Sequence, residues 1–147
     1  MQIDEINYHI IRELRDGRRS FKKIADGINV TENTIRSRVN KLIEEGLISI
    51  NGEVDPNLLP GHELVVVGVK LNTMDLVKKG EEFSTLHGVV SVCVVTGRYD
   101  LLVTVLLNEA FGLLEFYTKE VQKVQDVLSV ETFVVYKGYN MKVPYVL

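Results

Sequence analysis

Asn33, Ser37, Asn40, Lys41 and Glu44 share one outward arc of a helix read from about residue 32, with Thr34 and Arg36 flanking it. Asn and Arg carry forked donors and acceptors that match adenine and guanine edges in a major groove, while Ser and Thr serve either base. Asn33, Thr34, Arg36, Ser37 and Asn40 lie in the N-terminal part of the helix, the part a recognition helix presents to base edges. Lys22, Lys23, Arg38 and Lys41 are placed to hold phosphates. Ser20 and Thr31, at the starts of two helices, complete the expected DNA contacts. A polar solvated face on a packing helix would use the same residue types, and Glu44 and Glu45 direct the last turn away from phosphate. The surrounding pattern decides for DNA.

That pattern runs from Ser20 to Ile48. Phe21, Ile24, Ala25 and Ile28 make one apolar stripe, and Ile35, Val39, Leu42 and Ile43 make a second. Asn29-Val30-Thr31 between them fits only a tight turn, with Asn29 suited to a left-handed conformation and Thr31 to capping the next helix. Two amphipathic helices so joined predict a helix-turn-helix. An earlier helix, capped by Asp4, offers Ile6, Ile10, Ile11 and Leu14 as the third wall of a core, and Asp16-Gly17 should end it, Gly17 being left-handed. After Gly46, Leu47 to Ile50 alternates towards the turn signal Asn51-Gly52, which predicts a small hairpin wing. Pro60-Gly61 then sets the expected boundary between a domain over 1–60 and another over 61–147.

Charge supports the division. The 147-residue chain has a formal net charge of −3, 46% hydrophobic and 25% charged residues, as an ordinary globular protein does. Between Arg12 and Lys41, however, nine basic residues face four acids, a local excess of +5. Phosphate binding follows such local charge. The start of the chain does not read as a signal peptide and no apolar run has membrane-spanning length, so a cytoplasmic protein is expected. Cys93, among valines, reads as a small buried residue rather than a nucleophile or ligand. His9, His62 and His87 lie in separate elements without metal-ligand spacing, and neither a metal nor another cofactor is expected.

From Glu63 onward the pattern changes. Strands are predicted over 63–71, 89–96, 101–107 and 130–136, with helices over 74–86 and 110–128; residues 137–147 read as extended. The order βαββαβ is the ferredoxin-like split unit, giving an α+β chain of two domains. The strands over 89–96 and 101–107, read as central, are apolar on both faces. An uncovered sheet face would expose on the order of 350 Å². Its burial would contribute about 9 kcal/mol per subunit as an upper bound. Self-association through the sheet into a homodimer, and from there into higher oligomers, is the economical expectation. Val92 and Val103 are expected on opposite faces.

Taken together these motifs resemble the Lrp/AsnC family. The resemblance rests on Ile3-Asp4, Ile10-Ile11 and Leu14; then on Ile24-Ala25, Thr31, Thr34-Ile35, Arg38-Val39, Leu42 and Gly46-Leu47-Ile48; and on Val95 to Leu102, which holds Gly97-Arg98-Tyr99-Asp100 in the manner of the family's G-x-Y-D loop. It implies a winged DNA-binding domain joined to an effector-binding ferredoxin-like domain, dimers or larger assemblies, and an amino acid as effector. It also places ligand contacts at Thr96, Gly97, Arg98, Tyr99 and Asp100. Their chemistry suits a zwitterion: Asp100 for an ammonium, Arg98 and amides beside Gly97 for a carboxylate, Tyr99 over the side chain. Thr132 is added from the last strand. Arg98 stands where many members carry an acid. Two other classes compete. A ligand-free architectural DNA-binding protein would share the DNA face, and an enzyme on a dimeric ferredoxin-like domain would share the fold but lacks a visible base–nucleophile pair.

Overall fold

Asp4, Ser20 and Thr31 each accept a hydrogen bond from the amide three residues on, and each starts a helix. In the computed structural model, which describes residues 3–147, these helices are α1 (Glu5–Glu13), α2 (Phe21–Gly27) and α3 (Glu32–Glu44). Their apolar stripes meet in one core. Ile10, Ile24, Ile35 and Leu42 are fully buried there, each contributing about 1.5–3 kcal/mol by removal from water. Ile43, assigned to the inner stripe by spacing, is instead 43% exposed. Asn29 takes the left-handed conformation (φ 54°) that the three-residue connection demands. Gly17 takes no positive φ: α1 ends earlier, at Glu13, and Arg15 N–H turns back to the Arg12 carbonyl.

The wing does not form. Gly46 is left-handed (φ 70°), and behind it the Leu47 and Ile48 amides both return to the Leu42 carbonyl, capping α3. Residues 47–52 carry no strand. The next strand, β1 (Glu53–Val54), pairs instead with β6 (Val143–Pro144), within the stretch 137–147 that reads as extended. That pairing moves the boundary forward from Pro60. The first unit ends at Asn51 and the second runs from Gly52 to Leu147.

The second unit contains β2 (His62–Leu71), α4 (Leu76–Ser84), β3 (Val89–Val94), β4 (Leu101–Asn108), a helical stretch α5 and β5 (Val127–Val134). α5 begins at Leu113–Glu115, continues through a π-turn over Phe116–Glu120 and closes as a 3-10 turn over Val121–Lys123. It is shorter than 110–128 because Phe111 still bridges to Asn108, Gly112 and Val124 are extended, and Val127 and Leu128 already belong to β5. The sheet is antiparallel in the order β3-β4-β2-β5, the split βαββαβ arrangement. β4 and β2 are therefore central, and β3 is an edge strand. One face packs Val65, Val67, Val69, Leu101, Val103 and Val105 against Phe83, Leu86, Phe116 and Val121. Val92 pairs directly with Val103, so both lie on this helix-covered face, contrary to the expectation of opposite sides.

The other face is half covered. Leu64 and Leu106 are buried under Val143, with Val54, Val90, Val135, Met141, Val146 and Leu147 around them. The returning tail thus removes part of the apolar area that the sequence left open. The uncovered part holds Val66, Leu102, Thr104 and Phe133, and with them Cys93, which is exposed rather than buried because it lies on this face of the edge strand. Among the described residues, no helix is long and apolar enough to cross a membrane.

Candidate DNA interface and effector site

Capping and burial together fix which side of α3 faces water. Ile35, Val39 and Leu42 are buried, which turns Asn33, Arg36, Ser37, Asn40 and Lys41 outward as one contiguous surface with Glu44 and Glu45. Thr31 and Thr34 are joined through their hydroxyls at 2.8 Å, and the Thr34 amide also donates to the Thr31 hydroxyl. Both threonines therefore act as the cap of α3, with Thr34 only half-exposed. Ser20 caps α2 in the same way, and Lys22 and Lys23 are exposed beside it.

Arg38 departs from its expected role. It donates to both Asp4 carboxylate oxygens, at 2.8 and 2.7 Å, and to Asn7 Oδ1 at 3.0 Å. The guanidinium and the Asn7 amide hold the Asp4 carboxyl below its ordinary pKa. Nη1 alone makes all three contacts, so Arg38 clamps α3 to the start of α1 while Nε and Nη2 stay outside that clamp. Arg36 remains on the outer face, with Nη2 on Glu32 Oε1 at 2.7 Å and its guanidinium over the Phe21 ring, 5.4 Å from the centroid. Sequence reading treated Phe21 as core and did not select Glu32; their (i, i+4) and cross-helix spacing to Arg36 was the available signal.

In the second unit the residues between β3 and β4 divide in two. Asp100 faces inward: its carboxylate accepts from Lys70 Nζ and from the Leu71 amide, each at 2.8 Å, and its own N–H donates to the Val69 carbonyl. Lys70 first, then the Leu71 amide, lowers its pKa. Asp100 thus pins the connection to β2 rather than presenting a free acceptor. Tyr99 lies on the uncovered sheet face. Its ring occupies the space above Gly68, where a Cβ would meet ring carbons at 2.8 Å, and it stands edge-on to Phe133 with centroids 6.0 Å apart. Its hydroxyl donates to Glu131 Oε2 in a short bond that raises the phenol pKa, with desolvation adding to it. Arg98 completes the group, 3.3 Å from the same Glu131 oxygen and 5.6 Å over the Tyr99 ring.

Thr96 and Gly97 are exposed at this edge, and a Cβ on Gly97 would meet nothing. Thr132 does not join them. Alternation along β5 sends it to the helix-covered face, where it bonds the Tyr117 hydroxyl. Its neighbour Glu131 takes the place beside Tyr99. The unusual glycine inside β2 was the sequence signal for this close approach.

Comparison with known proteins agrees with both halves. Residues 3–43 match the AsnC-type helix-turn-helix domain, and residues 64–144 match the Lrp/AsnC ligand binding domain. A helix-turn-helix-type transcriptional regulator of Pyrococcus abyssi is 33% identical over 134 residues, spanning 90% of this chain and 85% of its own. The structure of E. coli AsnC superposes with a TM-score of 0.72 at 23% identity, covering 96% of this chain and 97% of that one. A Neisseria meningitidis regulator solved with L-Met has a TM-score of 0.70 at 15% identity, covering 99% and 96%. Its helix-turn-helix, its sheet domain and these relatives assign the chain to the Lrp/AsnC family: it is a DNA-binding transcriptional regulator and not an enzyme.

Proposed function

We propose that the protein is a cytoplasmic regulator that reads a specific duplex through α3 as a homodimer able to assemble further, and that an amino acid tunes its activity. The observation that carries the DNA reading is the exposed run Asn33, Arg36, Ser37, Asn40 and Lys41 on a buried-backed helix, with Lys22 and Lys23 beside it. The half-covered sheet face, with Val66, Leu102 and Phe133 uncovered, supports association of two copies through it, which would pair two such helices. For the effector, the reading shifts the acceptor from Asp100 to Glu131. Arg98 and the amides near Thr96 and Gly97 would hold a carboxylate, Glu131 an ammonium, and Tyr99 the side chain. The liganded Neisseria relative supports an amino acid as the class.

The test is a thermal-shift screen of the twenty amino acids, followed by calorimetry with any hit on wild type and Glu131→Gln. Ligand at a hundredfold excess over Kd stabilises the native state by about 2.7 kcal/mol. A hit lost in Glu131→Gln supports the site. A hit that Glu131→Gln binds unchanged moves the pocket elsewhere.

A further inference from the structure

We propose that Phe21 and Glu32 are positioning residues that set the Arg36 guanidinium for base discrimination. The inference rests on the DNA reading above and extends it to two side chains that need touch no base. Arg36 Nη2 is 2.7 Å from Glu32 Oε1, and the guanidinium sits 5.4 Å from the centre of the Phe21 ring. One contact comes from the first turn of α3 and the other from the first residue of α2, so the arginine is held from two helices. Arginine has five N–H donors, and using part of the fork on Glu32 leaves others for a guanine edge.

The helix dipole favours a carboxylate at the start of α3, but stability explains its pairing with Arg36 poorly. The Arg36 and Glu32 side chains are 55% and 43% exposed, and such (i, i+4) pairs contribute little. A carboxylate at the start of a recognition helix also repels phosphate, which weakens binding to any sequence. A gain in discrimination offsets that cost: an arginine fixed before contact loses less rotamer freedom on binding, and loses it in one geometry only. Asn33, Ser37 and Asn40 lie on the same exposed face, so the fixed fork sits within the reading surface.

The experiment uses the full chain. A duplex enriched by wild type from a random library is compared with a shuffled duplex of the same composition, and the ratio of the two Kd values is read. Phe21→Leu and Glu32→Gln should each lower the ratio about tenfold, towards the value for Arg36→Ala. Phe21→Tyr should keep it, because the ring face survives. Glu32→Gln should also bind the shuffled duplex more tightly, because a carboxylate that repels phosphate is gone; the fall in the ratio is the readout that a merely structural residue would not move. Adding either change to Arg36→Ala should lower the ratio no further.

Phe21 also touches the core, so its variants are checked by thermal melting; Glu32 is exposed and its variant carries the test independently. Wild-type ratios in both Glu32→Gln and folded Phe21→Leu overturn the proposal. A further loss on top of Arg36→Ala overturns it too, by showing that these residues act on their own. If wild type enriches no sequence, the DNA reading itself falls and takes the proposal with it.

Discussion

The two units solve opposite surface problems. In the first, the apolar stripes turn inward apart from Ile43 and the outer face of α3 is polar, so the candidate reading surface follows from which residues are not core. In the second, both faces of the sheet carry apolar residues, and the chain covers one with helices but only half of the other with its own tail. A face made of leftovers is readable by periodicity. A face finished by a distant segment is not, because the covering residues and the covered ones are remote in sequence.

The largest effect should come from confusing those two sheet faces. Val103 is fully buried on the helix side. Val103→Asp puts an unpaired carboxylate there and should cost more than about 4 kcal/mol, abolishing cooperative melting of the second unit. Leu102, its neighbour, points to the uncovered side and is only half-buried. Leu102→Asp should leave the melting transition in place and shift sedimentation towards monomer. A Leu102→Asp protein that sediments as wild type would remove the sheet face from the assembly, and a Val103→Asp protein that melts normally would refute the register.

That register shows why sequence carried some elements and lost others. Strand and helix positions in the second unit came from runs of Val and Leu, yet the pairing of Val92 with Val103 depends on an irregularity between Val89 and Ser91. Hydrophobic alternation alone cannot phase an edge strand whose both faces are valine-rich. The wing failed for a different reason: Leu47 and Ile48 have strand character, but the open Leu42 carbonyl claims their amides first. Glu131 rather than Thr132 stands beside Tyr99 because a one-residue step along β5 changes faces, and the contact of Tyr99 with Gly68 marks which face that is. The recognition helix was legible almost throughout, since Thr31, Ile35, Val39 and Leu42 fix its phase locally.

Arg38→Ala should give the next effect. It leaves Asn7, which is buried, without its Oδ1 partner and frees Asp4. A loss of about 1–3 kcal/mol in the first unit is expected from the unsatisfied amide oxygen. Urea unfolding followed by a probe in that unit measures it. No loss would mean that the clamp is idle and Arg38 is available to phosphate after all.

Asp100 offers a smaller effect that belongs to the second unit alone. Its folded pKa is depressed by Lys70 and the Leu71 amide, so its ionised form stabilises the fold. That contribution is complete above the unfolded value of about 3.9 and is lost as pH falls through the lower folded value. Asp100→Asn should therefore lower the melting temperature at neutral pH, and the gap to wild type should close below about pH 4. A gap that persists unchanged into acid would mean that geometry at the connection, rather than charge, does the holding.

The smallest effect separates two cations that the sequence treated alike. Lys23 is exposed at the start of α2 without the ties that bind Arg38. Lys23→Ala should leave stability within about 0.5 kcal/mol of wild type, as surface changes do. On DNA it should weaken enriched and shuffled duplexes by the same factor, and the slope of log K against log salt should flatten by about 0.9, one phosphate's worth of released counterion. Arg38→Ala should do the reverse, moving stability while leaving the salt slope of the folded protein unchanged. The pair of measurements asks whether positive charge near the helix-turn-helix is used for binding or for folding. A flattened slope in Arg38→Ala together with an unchanged one in Lys23→Ala would invert the assignment. It would also place the phosphate path along α1 and α3 instead of the start of α2.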